Sequence, residues 1–452
     1  MVSNFHLVNK NMKILSFNKK PTYEQHDNEE SNYYQFSSSK LSLKSELKDN
    51  LKADICIVGG GFTGVASALY LTKKGYKVVL LEARKIGWGA SGRNGGQLGG
   101  GLRKEQRTLE RTLGLNHAAE LWKMGLEAVQ EVKNNIHRYQ IDCELQKGVL
   151  TAGYYKDDSK YFEDEIEYMQ KKYGYSKYKF LNQAEINQEI KSKLYYSGML
   201  NEGSYHLHPL KYLYGLTKEL VKLKVEIYEN SPVKKIIETT SGIKIMTEKN
   251  IVESRYVVVG CNGYLDNLLG KIRNKFMPIN NYVLATEPLG KEKALDLIKN
   301  NYAVSDSRFI IDYYRLSGDW RMLFGGGETY SGKFLKNAEK FVTSRMYKVF
   351  PELKRYKVDY CWGGTLAITI NRFPNFGTLS NGKIVYAHGY SGHGLALTTL
   401  AGKLISEKIC GYSDRFNFFS SIPHISLPTG DLLRRPLYSM GVAYYKVRDL
   451  IH

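Results

Sequence analysis

The chain has 452 residues, of which 42% are hydrophobic and 24% are charged, a composition that is typical of a globular protein and argues against a disordered one. This length suits two or three ordinary domains, or one large two-domain enzyme. Lysine and arginine number 65 against 45 acidic residues, which gives a net charge of +20. The lysines are scattered, as at 40–52 and 171–179, so we expect a basic solvated surface and no nucleic-acid partner.

Cysteine usage and apolar segments bear on the location of the protein. The five cysteines are odd in number and no two have CxxC spacing, so we expect neither a disulfide framework nor a structural zinc site. A cytoplasmic location fits this pattern. We expect no membrane span, because no apolar run is long enough, and no signal peptide, because the N-terminus lacks a continuous apolar segment. Met12 is a second candidate for the first residue.

Hydrophobic periodicity predicts the elements in chain order. Residues 1–52 are polar and predict an N-terminal arm, which lies over the rest of the protein or is partly disordered. An apolar strand at 53–58, a glycine turn, a helix at 62–74 and a second strand at 76–82 follow. Strand, helix and strand in so short a span predict a parallel pair with a right-handed crossover.

The remainder alternates between helical and strand-like regions. Residues 106–200 are mostly helical in pattern, whereas 222–260 and 278–330 predict strands. Residues 374–411 return to strand, glycine-rich turn and helix. The whole pattern predicts an α/β protein.

The first chemical motif is a GxGxxG sequence formed by Gly59, Gly61 and Gly64. It follows a predicted strand and opens a predicted helix, which is the context in which this motif binds a dinucleotide. The glycines permit a tight turn, a close approach to a pyrophosphate and close helix–strand packing, and the helix N-terminus adds unpaired N–H groups. Glu82, at the end of the second strand, can accept hydrogen bonds from a ribose. We predict cofactor contacts at Gly59, Gly61, Phe62, Thr63, Gly64, Glu82, Ala83 and Arg84.

A second glycine-rich segment lies at 87–97. It bears on which dinucleotide is bound, because the first motif alone does not distinguish NAD from FAD. Small residues at this density allow the main chain to lie flat against a large planar cofactor. Ser91 and Arg93 are candidate donors to the pyrophosphate. The alternative is a flexible loop, which rarely needs an Arg-Asn pair framed by glycines. We therefore predict FAD, with contacts at Gly89, Ala90, Ser91, Arg93, Asn94, Gly95, Gly96 and Gln97.

The third segment is a glycine-rich turn at 389–394 that leads into a predicted helix at 395–408. A helix N-terminus at this point favours anionic charge at the N1 and O2 edge of a reduced flavin. We predict flavin contacts at Gly392, His393, Gly394 and Leu395. His393 is also a candidate catalytic residue, although a hydrogen-bonded structural histidine is the favoured interpretation.

Together these segments resemble the D-amino-acid oxidase superfamily of FAD-dependent oxidoreductases, and within it the gamma-glutamylputrescine oxidase group. The similarity runs from about Asn32 to the C-terminus, including the tail sequence at 432–450. The sequences that carry it are ADICIVGGGFTGVASALYL at 53–71, LEARKIGWGASGRNGGQ at 81–97, HLHPL at 206–210, NNYVLATEPL at 280–289, WGGTLAITINRFPNFG at 362–377 and GYSGHGLAL at 389–397.

The resemblance implies a FAD-binding Rossmann-like domain built from separated segments, and a substrate domain with a mixed β-sheet and helices. It further implies that Val233 contacts the adenine end of FAD through its backbone, and that 260–263 belongs to another FAD-contacting strand. The implied boundaries are 53–105, 205–272 and 366–422 for the FAD-binding domain, 106–204 and 273–365 for the substrate domain, and 423–452 for a C-terminal tail.

The resemblance also implies oxidation of a C–N bond in a small amine similar to gamma-glutamylputrescine. A neutral amine would give a hydride to flavin N5, the imine would hydrolyse to an aldehyde, and oxygen would reoxidise the flavin with release of hydrogen peroxide. An apolar pocket favours the neutral amine by desolvation, so no dedicated base is required. Two alternatives stay open: an amine or amino-acid dehydrogenase with a quinone or protein acceptor, and an RNA-modifying flavoprotein of the same superfamily.

The chain departs from the related sarcosine oxidases at two places. Those enzymes hold the substrate carboxylate with a lysine soon after the third motif, where this chain has Leu395 and Ala396. They also attach the flavin to a cysteine near the region of Trp362. Cys361 lies beside that position, but a strand neighbour points to the opposite face, so we expect non-covalent FAD.

The substrate pocket is predicted from aromatic residues near the motifs, with one cation. Tyr282, Trp362 and Tyr390 are candidates for the pocket wall, and each could equally belong to the core. Arg372 is either a replacement cation for the missing lysine or a surface arginine before the turn at 373–374. His206 and His208 form an HxH pair without further candidate ligands, so we expect no metal site there.

Overall fold

The computed structural model describes residues 32–329 and 333–426. The predicted N-terminal arm is therefore described only from Asn32 onward, and Met12 lies outside the described residues. Of the predicted C-terminal tail, only 423–426 is described. Among the described residues, no helix is both long enough and apolar enough to cross a membrane.

The described chain forms strands and helices that alternate along the sequence. The strands are β1 (Leu51–Val58), β2 (Val78–Leu81), β3 (Gln97–Leu98), β4 (Gln146–Gly153), β5 (Tyr178–Leu181), β6 (Ser197–His206), β7 (Glu226–Tyr228), β8 (Lys235–Thr239), β9 (Gly242–Met246), β10 (Ile251–Val259), β11 (Phe276–Thr286), β12 (Ala303–Asp306), β13 (Asp312–Leu316), β14 (Met322–Thr329), β15 (Val358–Thr369), β16 (Asn375–Leu379) and β17 (Ile384–His388). The helices are α1 (Tyr33–Phe36), α2 (Phe62–Lys73), α3 (Gln106–Leu113), α4 (Leu115–Arg138), α5 (Asp158–Tyr173), α6 (Gln183–Glu189), α7 (Pro209–Lys222), α8 (Gly270–Arg273), α9 (Lys291–Leu297), α10 (Ala338–Val349), α11 (Gly394–Ile409) and α12 (Asp414–Ser420).

The first sheet has eight strands in the order β16-β17-β10-β1-β2-β7, with β9 pairing to both β10 and β8. Strands β17, β10, β1, β2 and β7 run parallel, with β7 at one edge, and β16 is an antiparallel strand at the other edge. Strand β2 is buried throughout, and β1 carries Ile57 toward one hydrophobic cluster and Val58 toward another. Such runs of Val, Ile and Leu form a parallel sheet because apolar layers cover both of its faces.

The second sheet has nine strands in the order β15-β11-β14-β13-β12-β4-β6-β3, with β5 pairing to β6. All its pairs are antiparallel except β12 with β4, so the sheet is mixed. A separate hydrophobic cluster packs on this sheet and includes Leu150, Leu284, Phe324 and Phe350. The predicted fold class, an α/β protein with a mixed second sheet, is confirmed.

A glycine permits a close crossing of two helices in the first layer. Helix α11 packs on α2 and α4, and α2 also packs on α7. A Cβ added to Gly402 in α11 would lie 2.6 Å from the carbonyl carbon and the Cβ of Ala66 in α2. This backbone-to-backbone contact brings the start of α11 toward the end of β1, where the first motif lies.

The described part of the N-terminal arm is anchored by polar and aromatic contacts. Asn32 donates from Nδ2 to the carbonyl oxygen of Gly92 at 3.0 Å, and the Tyr33 hydroxyl donates to Asp319 Oδ1 at 2.6 Å. The ring of Tyr34 packs edge-on to Trp362, with centroids 5.3 Å apart. Tyr33 and Tyr34 are fully buried, so this part of the arm lies over the rest of the protein.

Two regional predictions need correction. Residues 106–200 contain α3 to α6 as predicted, but they also contain β4, β5 and the start of β6, which were missed. These strands are short, and periodicity separates short apolar runs from helix poorly. The predicted strand region 278–330 also contains α9. The domain boundaries stay a prediction, and β3, the end of β6 and the end of β15 join the second sheet although they fall within segments predicted for the FAD-binding domain.

The α2–α11 crossing yields a stability prediction. We expect Gly402→Ala to lower the free energy of unfolding by about 1–3 kcal/mol, because even one methyl group overpacks this contact. Thermal unfolding followed by circular dichroism would measure the change. Gly270→Ala is the matched control, because a Cβ there has no neighbour within 4 Å. Equal midpoints for the two variants would contradict the prediction.

Candidate active site

A cavity of about 820 Å³ is lined by residues of both sheets. Val58 and Leu81 end β1 and β2, and Gly260 follows β10, so the cavity begins at the carboxyl ends of parallel strands. Asn281 and Tyr313 line it from the second sheet. Ligands of open α/β sheets bind at this edge, and the volume lies in the range of small-molecule sites, about 300–1,000 Å³.

The turn between β1 and α2 has no room for side chains at three positions. Gly59 has φ +106°, and a Cβ there would lie 3.1 Å from the carbonyl group of Gly260. A Cβ on Gly64 would lie 1.9 Å from the carbonyl oxygen of Gly59. A Cβ on Gly61 would lie 2.9 Å from the Ser91 hydroxyl oxygen, which accepts a hydrogen bond from Phe62 N at 3.0 Å. The backbone of this turn is therefore open to a ligand that approaches the N-terminus of α2.

Glu82 follows β2 and lines the cavity with its neighbour Ala83. Its carboxylate accepts hydrogen bonds from the backbone N–H of Gly60 at 2.6 Å and of Arg84 at 2.8 Å. Burial raises the pKa of Glu82, and the two backbone donors act against that rise. Hydroxyl groups of a ribose would add further donors and favour the charged carboxylate.

The second glycine-rich segment is held in shape by its own polar side chains. Asn94 donates from Nδ2 to the carbonyl oxygens of Ala90 and Ser91, at 3.0 and 2.9 Å, and its Oδ1 accepts from Gly96 N at 2.9 Å. Arg93 donates to the carbonyl oxygen of Trp88 at 2.6 Å and to that of Gly363 at 3.0 Å. Gly363 lies in β15, so Arg93 joins this segment to the second sheet. Its predicted contact with a pyrophosphate stays a prediction.

The third segment places the N-terminus of α11 at the cavity. Tyr390 lines the cavity, and its hydroxyl forms a hydrogen bond with Thr63 Oγ1 of α2 at 2.9 Å. His393 N donates to the carbonyl oxygen of Tyr390 at 2.9 Å. Burial lowers the pKa of His393 to about 4, and the nearby charge of Arg103 acts in the same direction. His393 is therefore a neutral imidazole at neutral pH.

Most predicted site residues line one cavity. From the cofactor set these are Gly59, Gly61, Phe62, Thr63, Glu82, Ala83, Gly89, Ala90, Ser91, Arg93, Asn94, Gly95, Gly96, Gln97, Val233, Gly392, His393, Gly394 and Leu395, and from the substrate set they are Arg372 and Tyr390. Gly64 and Arg84 are not part of the lining: Gly64 packs on Gly59, and Arg84 lies over the Trp88 ring at 5.6 Å.

Tyr282 and Trp362 lie away from the cavity, which corrects their predicted place in the pocket wall. The Tyr282 hydroxyl bonds to Thr329 Oγ1 at 2.9 Å and accepts from Leu335 N at 3.0 Å, among the side chains of the second cluster. Trp362 donates from Nε1 to the carbonyl oxygen of Arg93 at 3.1 Å and belongs to the first cluster. Both rings therefore support the walls of the cavity from behind.

The two histidines of the HxH pair make separate structural contacts. His206 bonds through Nε2 to the carbonyl oxygen of Asn301 at 2.6 Å. His208 accepts from Lys211 N at 3.1 Å, where it precedes α7, and its Nε2 bonds to Ser37 Oγ at 2.9 Å. In the described part of the chain, no group of three or more potential ligands is arranged to hold a metal ion.

Several residues that line the cavity lie outside the sequence motifs. Tyr313 donates from its hydroxyl to Asn281 Oδ1 at 2.5 Å, and a Cβ on Gly95 would lie 2.6 Å from its ring. Arg103 and Glu328 also line the cavity. Burial lowers the pKa of Arg103, and so does the nearby charge of Arg372. Arg103 lies two residues after three consecutive glycines, which is the one local signal for it, whereas nothing local marks Tyr313 or Glu328.

Comparison with known proteins decides the family. The profile of the family described as "FAD dependent oxidoreductase" matches residues 54–408. The chain belongs to this family of FAD-dependent oxidoreductases.

Relatives of the FAD-dependent oxidoreductase family match nearly the whole chain. The chain is 38% identical over 420 residues to the gamma-glutamylputrescine oxidoreductase of Escherichia coli (strain K12), covering 93% of this chain and 98% of the relative. It is 36% identical over 404 residues to the probable oxidoreductase OrdL of Haemophilus influenzae, covering 88% of this chain and 92% of the relative. The resemblance inferred from the motifs is thereby confirmed.

Solved structures show the same fold at low identity. The L-proline dehydrogenase of P. horikoshii has a TM-score of 0.66 at 21% identity, with 84% of this chain and 100% of that chain covered. The glycine oxidase of Geobacillus kaustophilus has a TM-score of 0.67 at 17% identity, with 80% and 95% covered. FAD is thus the cofactor that the family indicates, and the glycine-only turn, the N-terminus of α2 and the carboxylate of Glu82 fit its pyrophosphate and ribose.

The glycine turn yields a prediction for cofactor binding. We expect Gly61→Val to lose most bound flavin, because the branched side chain would collide with the Ser91 hydroxyl and occupy the approach to the helix N-terminus. The ratio of flavin absorbance to protein absorbance in the purified protein measures this loss. Lys74→Ala, at the exposed C-terminal end of α2, is the control and should keep its flavin. A fully yellow Gly61→Val protein would overturn the role of this turn.

Proposed function

We propose that the protein oxidises a C–N bond in a small amine, similar to gamma-glutamylputrescine, whose reacting carbon bears no carboxylate. The start of α11 carries this proposal. Leu395 lines the cavity directly after the third motif, and Ala396 beside it is buried. Neither side chain can pair with a carboxylate, and burying an unpaired carboxylate costs several kcal/mol. A site of this kind selects against simple amino acids.

The relatives support the same substrate class. The name of the relative from Escherichia coli contains gamma-glutamylputrescine, and the alignment with it spans 93% of this chain. Gamma-glutamylputrescine carries a primary amine at the end of a flexible chain, and its carboxylate lies far from the reacting carbon. Enzymes with the same fold act on several substrates, so the side chains of the cavity must make the choice.

The residues of the cavity orient the amine and favour its neutral form. When bound, FAD supplies a hydride acceptor at N5 of its isoalloxazine ring. Tyr390 is fixed by Thr63 and Tyr313 by Asn281, so both rings are preorganised. Burial of the amine in the cavity lowers its pKa by desolvation, so that it sheds its proton without a dedicated base.

The products that we propose follow from this chemistry. Loss of a hydride from the carbon next to a neutral amine leaves a protonated imine, and water converts this cation to an aldehyde and an ammonium ion. We propose oxygen as the final electron acceptor, with hydrogen peroxide as its product. Peroxide formed in step with aldehyde under air would support an oxidase. Aldehyde formed only with an added quinone or dye would identify a dehydrogenase.

Steady-state kinetics test the substrate class. We expect gamma-glutamylputrescine to give the highest kcat/KM in a set with putrescine, sarcosine, glycine and D-alanine, because the three amino acids place a carboxylate beside Leu395 and Ala396. Anaerobic bleaching of the flavin by each compound measures the reductive step without any acceptor. If sarcosine or D-alanine is the best substrate, the argument from α11 is wrong, and Arg372 becomes the first candidate for a cation that holds the carboxylate.

We also propose that FAD is bound without a covalent link. Cys361 does not line the cavity; it packs against the second hydrophobic cluster, on the face of β15 opposite to Trp362. Burial raises the pKa of its thiol to about 12, whereas attack on a flavin requires a thiolate. We expect acid precipitation to leave the flavin in the supernatant. Colour in the washed pellet that disappears in Cys361→Ser would show a covalent bond and overturn this proposal.

Cysteine state and charge bear on two further parts of the proposal. All five cysteines are free thiols, which supports a reducing cytoplasmic location. Thiol labelling of protein fractionated from intact cells would test this location.

The RNA-modifying alternative is supported only by the net charge of +20, which is spread over the chain. Tight tRNA binding that weakens steeply with salt would favour that alternative.

A further inference from the structure

Three charged residues from separate segments line the cavity together. Arg103 follows β3, Arg372 lies in the turn between β15 and β16, and Glu328 belongs to β14. The charges of Arg372 and Glu328 both act on Arg103, so the three groups lie close to one another. Two guanidinium groups and one carboxylate leave this part of the cavity with an excess of positive charge.

Neither arginine forms an ion pair with a carboxylate in the part of the chain that the structure describes. Among residues 32–329 and 333–426, no carboxylate lies within 4.0 Å of the guanidinium group of Arg103 or Arg372, which is the distance at which ion pairs form elsewhere in this structure. Buried charges are costly unless they are paired. Because both cations line a cavity and no described carboxylate pairs with either of them, an anionic group of a ligand is the natural partner.

Arg372 is the member of the pair that lies beside the surface. The guanidinium carbon of Arg372 lies over the ring of Phe309, 4.6 Å from the ring centroid. Ile370, two residues earlier, is 44% exposed, so this turn borders solvent. Arg103 lies near both Arg372 and His393, because electrostatic interactions join it to each of them. A ligand bound to the pair can therefore extend from the surface end toward the third motif.

We propose that Arg103 and Arg372 bind a carboxylate at the end of the substrate that is remote from the reacting amine. This inference rests on the proposed amine oxidation and names its substrate class, a linear primary amine whose far end carries a carboxylate. The planar forks of two guanidinium groups match the two oxygens of a carboxylate, which ammonium groups do not do. Leu395 and Ala396 exclude a carboxylate at the reacting carbon, and the arginine pair admits one at the other end.

A pair of isosteric substrates isolates this contact. N-glutarylputrescine has the same reacting amine as its terminal carboxamide analogue, and the two differ only in the charge at the far end. With the wild-type holoenzyme, we expect kcat/KM for the acid to exceed that for the amide by about ten- to hundredfold. Hydrogen bonds to charged groups contribute factors of this size in proteins. In Arg103→Gln and in Arg372→Gln the ratio should fall toward one, while the amide itself changes little.

Lys104→Gln is the matched control. It removes one positive charge next to Arg103, but Lys104 does not line the cavity, so the ratio of acid to amide should stay as in the wild type. Flavin content and the thermal midpoint of each variant show whether it is folded. Arg103→Lys and Arg372→Lys keep the positive charge but lose the planar guanidinium group, so we expect intermediate ratios of acid to amide in kcat/KM.

Titration with glutarate tests the same subsite without turnover. Glutarate should perturb the absorbance of the oxidised flavin in the wild-type holoenzyme, with a Kd about tenfold weaker in either glutamine variant. An acid-to-amide ratio near one in the wild type, or a ratio that both glutamine variants leave unchanged, would overturn the subsite. If no amine reduces the flavin, the proposed function fails, and the glutarate titration still decides whether the arginine pair binds a carboxylate.

Discussion

The site depends on close backbone contacts between the end of β1, the start of α2 and the residue after β10, at positions that have no side chains. A Cβ on Gly64 would lie 1.9 Å from the carbonyl oxygen of Gly59, and a Cβ on Gly260 would lie 3.1 Å from Gly64 N. The absence of side chains at these three positions lets α2 start directly at the strand ends. Gly402 then lets α11 cross α2 at the same short range. As a result, two helix N-termini reach one cavity, and the bond from Tyr390 to Thr63 ties them together.

The two sheets contribute different chemistry to that cavity. The parallel sheet offers backbone N–H groups at helix starts and the carboxylate of Glu82, which suit a nucleotide. The mixed sheet offers Tyr313, Asn281 and Glu328, and the loops beside it supply Arg103 and Arg372. One half of the fold therefore offers groups that fit a nucleotide cofactor, while the other half carries side chains that can differ between enzymes of similar fold.

The parts of the site that the sequence predicted are the parts whose structure is local. The first and third motifs are each a strand, a turn and a helix in succession, so spacing alone placed Gly61 and Gly394 next to helix starts. The wall from the second sheet could not be predicted in this way. A register shift between Asn281 and Val283 disturbs the alternation of β11, so Asn280 and Asn281 line the cavity and Tyr282 does not. Arg103 and Glu328 meet only through the tertiary fold.

The walls of the cavity come from segments spread between residues 58 and 398, so the cavity is complete only when almost the whole chain has folded. Any ligand that binds the folded chain but not the unfolded chain then raises the free energy of unfolding, by about 4 kcal/mol at a free concentration 1,000 times its Kd. For a member of this family that ligand is FAD. Chains made when flavin is scarce would unfold more often and meet proteases sooner, so the cellular level of the protein should follow the supply of riboflavin.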